Sequence, residues 1–199
     1  MRVIAGTLRS RPLGAPRGLD TRPTSDRLRE SLFNVLAPRI RGAHFADLYA
    51  GTGAVGIEAL SRGAAHVTFV ESAPAAIACL RQNLRSLGIT GSYTLEQTSV
   101  PVALRRLVAQ SPAYTLVYLD PPWESANEYA QSLALLGQPG TPLLAPDALV
   151  IAEHARRTTH ALAESYGALE RYRLLEQGDA ALSFYQRRSG EAVSEDAVS

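Results

Sequence analysis

Asp47-Leu-Tyr-Ala-Gly51-Thr-Gly53-Ala-Val-Gly56 carries three glycines in a G-x-G-x-x-G arrangement, between a short apolar run and a helical pattern. Glycines at this spacing permit a tight turn from a strand into a helix and a close approach of a ligand to the backbone. Glu71 ends the next apolar run twenty residues after Gly51. A carboxylate at that distance can hydrogen-bond the hydroxyls of an adenosine ribose. Together these features predict a nucleotide-type cofactor beside the first strand.

Short apolar runs and helical patterns alternate on both sides of this loop, which is typical of βαβ units around a parallel sheet. We expect strands at Ala43–Tyr49, His66–Val70, Tyr93–Glu96, Leu116–Leu119 and Ala148–Ala152. The intervening helices are predicted at Ala54–Arg62, Pro74–Leu87, Pro101–Gln110 and Asn127–Leu136. Near the end of the chain, Leu169–Leu175 and Ala181–Gln186 flank a Gly-Asp pair and predict an antiparallel hairpin.

A second motif, Asp120-Pro121-Pro122-Trp123, directly follows the apolar run that predicts the fourth strand. Ligands of open α/β sheets bind beyond the carboxyl ends of the strands, so this motif and the glycine loop should border one crevice. Two prolines stiffen the turn and leave the Asp120 carboxylate and the Pro121 carbonyl as acceptors. Stiff acceptors suit an NH₂ group, such as the exocyclic amine of a nucleobase, on whose face Trp123 could stack. Taken singly, these residues are also compatible with a turn and a core tryptophan.

Asp47 distinguishes between cofactors that use such a loop. A carboxylate there would face the pyrophosphate of a nicotinamide dinucleotide unfavourably, whereas it suits the ammonium group of S-adenosylmethionine. The alternative is that Asp47 only caps its own loop. Ser99 follows the third strand, where it could contact an adenine or serve only as the N-cap of the next helix.

The charge distribution is uneven, although the 199 residues have a formal net charge of only +1. Residues 1–41 hold nine arginines against Asp20, Asp26 and Glu30, a local net charge of +6, and the remaining residues carry −5. This segment combines an alternating start, Arg2–Leu8, which could form a hairpin strand, with an amphipathic helix that Thr24 or Ser25 can cap and Pro38 ends. The asymmetry suggests an anionic partner for one end of the molecule. All the cationic side chains are arginine, which composition bias also explains.

Composition excludes several classes of protein. With 46% hydrophobic and 20% charged residues, the chain is neither an extended disordered segment nor a disulfide-stapled scaffold. Its single cysteine, Cys79, has no partner for a disulfide, and no signal peptide or transmembrane pattern is evident. The four histidines lack metal-ligand spacing, so no metal is expected. We expect a soluble cytoplasmic protein.

With both motifs in view, the chain resembles the class I S-adenosylmethionine-dependent methyltransferases, and most closely the bacterial small-subunit ribosomal RNA guanine-N2 methyltransferases of the RsmD type. Three segments carry the resemblance, which extends over residues 1 to about 188: Arg22–Asn34, Asp47–Gly63 and Asp120–Trp123. It implies a Rossmann-like α/β fold with a seven-stranded, mostly parallel sheet, helices on both faces and a C-terminal antiparallel hairpin. It also implies methylation of a guanine N2 amine in 16S rRNA, within an assembling small subunit.

The resemblance assigns roles to individual residues. It places the cofactor at Asp47, Gly51, Gly53, Glu71 and Ser99. Arg22 and Thr24, in the Arg-rich segment, are expected to lie close enough to the cofactor cleft to help close it. Similar proteins usually have Asp or Asn at the position of Ser99. The target base would be held by Asp120, Pro121 and Trp123. The expected contacts to rRNA phosphates are Arg9, Arg11, Arg17, Arg22, Arg27 and Arg29.

The chain is accordingly divided into an Arg-rich extension with the first helix (1–41), a methyltransferase domain (42–188) and an acidic tail (189–199) expected to be disordered. Three alternatives remain open at this point. An adenine-N6 DNA methyltransferase uses the same Asp-Pro-Pro-aromatic chemistry, although no extra target-recognition domain is evident. A non-catalytic RNA-binding assembly module and a nicotinamide oxidoreductase are the others.

Overall fold

The computed structural model describes residues 1–15, 26–109, 113–123 and 125–188, and its centre is an eight-stranded sheet. The helices are α1 (Asp26–Leu36), α2 (Ala54–Ser61), α3 (Pro74–Ser86), α4 (Val100–Leu107) and α5 (Ala126–Leu136). The strands are β1 (His44–Leu48), β2 (His66–Val70), β3 (Tyr93–Glu96), β4 (Tyr114–Leu119), β5 (Leu144–Ala155), β6 (Ser165–Tyr166), β7 (Leu169–Gln177) and β8 (Ala180–Arg187). A 3₁₀ segment, Arg156–Ala161, follows β5.

The sheet has the strand order β3-β2-β1-β4-β5-β8-β7-β6. The first five strands are parallel, and β5–β8, β8–β7 and β7–β6 pair antiparallel. The order reverses between β1 and β4, where the crossovers lead away to opposite sides. Such a switch point leaves a crevice at the carboxyl ends of the two strands, which is where α/β proteins bind ligands.

The predicted α/β class, the parallel strands and the C-terminal hairpin are confirmed. The strand number differs, because the two-residue strand β6 adds an eighth strand beside β7. Two residues are too few to give an alternating pattern. Strand β5 is also longer than the predicted Ala148–Ala152, because it pairs with β4 on one side and with β8 on the other.

Helices cover both faces of the sheet. On one face α1, α2 and α3 pack over alternate sheet residues, among them Phe45, Phe69 and Phe184. On the other face α4 and α5 cover a second set that includes Val117, Leu119 and Tyr185. Among the described helices none is long and apolar enough to cross a membrane. The two apolar layers fix the sheet, so the side chains at the ends of its strands are held in place.

The N-terminal segment is part of this packing. Residues 1–13 fold back on themselves, with the N–H of Val3 donating to Arg11 and the N–H of Leu13 donating to Met1. Val3 and Leu13 are buried in the core beneath α1 and α2. The carboxylate of Glu58 in α2 accepts the backbone N–H groups of Ile4 and Ala5, at 2.7 and 2.9 Å. The segment therefore turns back on itself and is fastened to α2, but the expected strand Arg2–Leu8 does not form, because only Arg2 pairs, in an isolated bridge with Pro12.

Candidate active site

A cavity of about 1190 Å³ opens at the carboxyl ends of the central strands. Its wall includes the predicted residues Asp47, Gly51, Glu71, Asp120, Pro121 and Trp123. Pockets for single small ligands typically measure about 300–1,000 Å³, so this cavity has room for a nucleotide cofactor and a second group beside it. The glycine loop and the Asp-Pro-Pro-Trp turn, which are about seventy residues apart in the chain, thus border the same space.

Asp47, near the end of β1, is a buried carboxylate, and its side chain is 1% exposed. Its Oδ2 atom accepts the backbone N–H of Gly56 at 2.8 Å. Burial, with a smaller contribution from the charge of Glu71, raises the pKa of Asp47 to about 8 against the opposing effect of the Gly56 bond. A cationic group in the cavity would lower this pKa and restore the charge on Asp47. Gly56 is required here, because a Cβ would lie 2.2 Å from the ring of Phe69.

Glu71 is fixed at the end of β2 by three backbone donors. Its Oε2 atom accepts the N–H of Gly51 at 2.8 Å, and its Oε1 atom accepts those of Ser72 and Ala73 at 2.7 and 2.8 Å. The carboxylate therefore joins the glycine loop to the start of α3. Its side chain also lines the cavity.

Asp120 lies directly beyond β4, is half-buried and lines the cavity. The indole N–H of Trp123 donates a hydrogen bond to it. Burial, and after it the nearby charges of Glu153 and Asp47, hold the pKa of Asp120 well above its usual range. Pro121 is buried, and its carbonyl accepts the hydroxyl of Tyr129 at 3.3 Å. The turn is thus held from several sides.

Tyr49 is a site residue that the sequence reading missed. It follows β1 with a positive φ of 62°, a conformation that non-glycine residues rarely adopt and that often marks a functional site. Its hydroxyl donates to Glu128 of α5 at 2.5 Å and lies 2.9 Å from the hydroxyl of Ser132. Tyr49 therefore connects the glycine loop to the helix that follows the Asp-Pro-Pro-Trp turn. Its place within the glycine motif is the only sequence signal.

Two arginines at the rim were missed as well. Arg156 and Arg157 begin the 3₁₀ segment after β5, are exposed, and line the cavity beside Ala155. Arg156 forms a loose ion pair with Glu176, at 3.5 Å. They are the only arginines in the wall formed by the described residues. An adjacent Arg-Arg pair just after a predicted strand was the available signal, but the Arg-rich N-terminus drew the prediction elsewhere.

Some predicted residues lie apart from the cavity. Ser99 is an exposed residue at the start of α4, and it is absent from the wall that the described residues form. Gly53 also lies outside that wall, and its space is taken by Leu80, whose Cδ1 atom would lie 2.1 Å from an added Cβ. Thr24, Arg17 and Arg22 fall outside the described residues.

The arginines predicted to bind phosphate fall into two groups. Arg9, Arg11 and Arg27 are exposed, and Arg11 donates to the carbonyl of Ser86 at 3.0 Å. Arg29 requires a correction, because its side chain is fully buried beneath α1. Its guanidinium donates to Asp26 at 2.9 Å and to the carbonyl of Arg2 at 2.5 Å. Arg29 thus fastens α1 to the N-terminal segment instead of facing a ligand.

The chain matches the model of one protein family over nearly its whole length. The model of the family described as Conserved hypothetical protein 95 matches residues 1–186. The chain belongs to this family. Within the described residues, no group of three or more histidine, cysteine or acidic side chains could hold a metal ion.

Relatives and solved structures agree with this membership. "Ribosomal RNA small subunit methyltransferase D" of Escherichia coli K12 is 33% identical over 189 residues, which are 95% of this chain and 91% of that protein. The protein of the same name from Haemophilus influenzae is 35% identical over 153 residues, 77% and 78% of the two chains. The solved structure of a hypothetical protein from Thermus thermophilus is 29% identical, covers 92% of this chain and 98% of its own, and has a TM-score of 0.77. The resemblance drawn from the sequence is confirmed.

More distant structures share the fold. A putative methyltransferase from Streptococcus mutans has a TM-score of 0.62 at 16% identity, over 80% of this chain and 48% of its own. A second solved structure, described as a putative methyltransferase complexed with SAH, has a TM-score of 0.63 at 14% identity over the same shares of the two chains.

Proposed function

We propose that the protein transfers a methyl group from S-adenosylmethionine to the exocyclic N2 amine of a guanine in 16S rRNA. One observation carries the proposal: a single cavity joins the carboxylates of Asp47 and Glu71 to the stiff acceptors of the Asp-Pro-Pro-Trp turn. The first two suit a cofactor that carries an ammonium group and a ribose. The turn suits an amine. The names of the related proteins support ribosomal RNA as the substrate class.

The cavity wall fits S-adenosylmethionine. Asp47 is a buried carboxylate without an ion-pair partner among the described residues, and a cationic amino group would compensate its charge. Glu71 would accept the ribose hydroxyls, and Gly51 leaves open space beside them because no atom lies within 4 Å of where its Cβ would be. When bound, the cofactor supplies an electrophilic methyl group on a positively charged sulfur.

Asp120 and Pro121 act on the amine. A base amine is a poor nucleophile, because its lone pair is delocalised into the ring. The Asp120 carboxylate and the Pro121 carbonyl accept its hydrogens, orient the lone pair and stabilise the positive charge that develops on nitrogen. As the nitrogen–methyl bond forms and the sulfur–methyl bond breaks, this nitrogen becomes strongly acidic and loses its proton to solvent. A dedicated strong base is therefore unnecessary.

The nucleic acid must present an unpaired base. A base inside a duplex cannot reach the end of β4, so the target is flipped or single-stranded, with Trp123 as its stacking surface. Arg9, Arg11 and Arg27 are exposed and would contact phosphates, together with Arg17 and Arg22. Such contacts position rRNA without reading its sequence. We place the reaction on an assembling small subunit in the bacterial cytoplasm.

A substrate panel tests this proposal. The protein is incubated with labelled S-adenosylmethionine and immature small ribosomal particles, naked 16S rRNA or deproteinised DNA. We expect label in the particles or the rRNA, and none with Asp120→Ala. Transfer to DNA alone would favour the adenine-N6 alternative, and RNA binding without transfer would favour an assembly module.

A further inference from the structure

Glu153 is a buried carboxylate that the proposed reaction does not use. It lies on β5, whose Ala152 pairs in register with Leu119 of β4, so Glu153 is the next residue on β5 and Asp120 is the first residue after β4. Only 3% of Glu153 is exposed. Burying a carboxylate is costly, and in this position it is also close to a second one. Its presence beside Asp120, which lines the cavity, therefore calls for a function.

Hydrogen bonds join Glu153 to both sides of Asp120. The hydroxyl of Tyr118, two residues before Asp120, donates to Oε2 of Glu153. The hydroxyl of Tyr129 lies 2.8 Å from the carbonyl of Glu153 and 3.3 Å from that of Pro121, which follows Asp120. The Asp-Pro-Pro-Trp turn is thus linked to the side chain of Glu153 through Tyr118 and to the backbone of Glu153 through Tyr129.

The surroundings of Asp120 are mainly acidic. Glu153 on β5 and Asp47 on β1 both act on it electrostatically, and the indole of Trp123 is its hydrogen-bond donor. Arg29 of α1, a buried cation, interacts electrostatically with Tyr118 and with Glu58 but donates a hydrogen bond to Asp26. At the rim, Arg156 pairs with Glu176 and Arg157 is exposed. Among the described residues, no cation forms an ion pair with Asp120.

We propose that Glu153 is a positioning residue whose buried negative charge, held by Tyr118, keeps a proton on Asp120 while the cavity is empty. Asp120 then ionises when a cation and the donor hydrogens of an amine enter the cavity. The free protein avoids an unpaired charge on Asp120, and the loaded protein gains the acceptor that the amine requires. This inference rests on the proposed function for its catalytic meaning.

Trp123 provides a direct readout. It is the only tryptophan in the chain, and its indole is hydrogen-bonded to Asp120. Its fluorescence in the full-length protein, followed between pH 4 and pH 10 without ligand, should report protonation of Asp120. We expect one transition in the wild type and none in Asp120→Asn.

Glu153→Gln tests whether the charge of Glu153 keeps Asp120 protonated. The amide can still accept the Tyr118 hydroxyl but carries no charge, so the Trp123 transition should move to lower pH by about one unit or more. Tyr118→Phe should move the transition in the same direction by less. Without the Tyr118 hydroxyl, Glu153 binds a proton more readily, and Asp120 then ionises at lower pH. Glu164→Gln is the matched control, since the Glu164 side chain is 85% exposed and forms its ion pair with Arg171, and the Trp123 transition of this variant should not move.

The acid limb of kcat/KM on ribosomal particles should shift in the same direction for Glu153→Gln. An unchanged Trp123 transition in both Glu153→Gln and Tyr118→Phe would overturn the inference, as would a wild type without any transition. If the wild type does not methylate particles while the transition still shifts, the proposed function fails and the link between Glu153 and Asp120 stands. A purely structural role would lower stability and leave both pH profiles in place.

Discussion

The Oε2 atom of Glu71 accepts the backbone N–H of Gly51 at 2.8 Å, so the acid at the end of β2 and the first glycine after β1 hold each other in place. Through Oε1, the same carboxylate accepts the N–H groups of Ser72 and Ala73. The loop and the start of α3 therefore share one anchor. The cofactor end of the cavity is organised before any ligand arrives, which lowers the ordering cost of binding.

Substitution of the glycines should separate stability from binding. Gly53→Ala places a Cβ 2.1 Å from buried Leu80 at a φ of 78°, so the free energy of unfolding should fall by about 1–3 kcal/mol. Gly51→Ala meets no atom within 4 Å and carries only the cost of its positive φ, about 1–2 kcal/mol. Because Gly51 lines the cavity, Gly51→Ala should also weaken cofactor binding. Urea unfolding measures the loss of stability, and calorimetry measures the loss of cofactor affinity. A Gly53→Ala variant that loses as much cofactor affinity as Gly51→Ala would contradict this division.

Asp47→Asn should stabilise the free protein at alkaline pH. The pKa of Asp47 is about 8 in the folded protein against an ordinary value of 3.8, so folding favours the protonated form. Wild-type stability therefore decreases as the pH rises from about 4 through 8, whereas Asn does not titrate. At pH 9 the variant should be more stable by an amount on the order of a few kcal/mol, and the difference should vanish near pH 4. Thermal unfolding across this range checks it.

The same variant should lose affinity for S-adenosylmethionine, because the ammonium group loses its anionic partner. Calorimetry at pH 7 should show this loss together with loss of the proton release that accompanies ionisation of Asp47. An Asp47→Asn protein that binds the cofactor as tightly as wild type would assign Asp47 to the loop alone.

Asp120→Ala should separate transfer from cofactor binding. Removal of one preorganised group that stabilises developing charge costs about 10²- to 10³-fold in kcat, so methyl transfer should fall at least that far. S-adenosylmethionine should still bind, since Asp47, Gly51 and Glu71 remain in place. Transfer assays on ribosomal particles and calorimetry measure the two properties. Full activity in this variant is incompatible with the mechanism.

The structure explains which parts of the site could be predicted from the sequence. The glycine loop and Glu71 were found because turn chemistry and spacing are local properties of the chain. Glu153 could not be found in this way, since its meaning depends on lying beside Asp120 across two strands. Arg29 appeared to belong to an exposed basic cluster, and only the packing of α1 shows that it is buried. Local patterns identify motifs, whereas burial and cross-strand neighbours depend on the complete fold.

The N-terminal arginines should divide into binding and structural residues. Joint replacement of Arg9, Arg11 and Arg17 by alanine should weaken rRNA binding and reduce its salt dependence, by about 2 in the slope of log K against log salt. Arg29→Ala should instead lower the free energy of unfolding by about 1–3 kcal/mol, because the carbonyl of Arg2 loses its buried donor. Filter binding over a salt series and urea unfolding test the pair. Unchanged salt dependence in the triple variant would remove the N-terminus from the RNA surface.

Arg157 should contribute a phosphate contact at the rim of the cavity. Arg157→Ala is expected to raise the KM for ribosomal particles severalfold without a change in cofactor affinity. Arg85→Ala is the control, because Arg85 is an exposed arginine near the end of α3 and is not among the residues that line the cavity. Identical KM values for the two variants would show that Arg157 is only a solvated charge.

The nucleoside produced by the protein is the most direct test of the central claim. Immature small ribosomal particles are incubated with the full-length protein and labelled S-adenosylmethionine, and the rRNA is digested to nucleosides for mass spectrometry. The account predicts label in N2-methylguanosine, with none when Asp120→Ala replaces the wild type. Label in N6-methyladenosine, or no transfer to particles or rRNA, would contradict it.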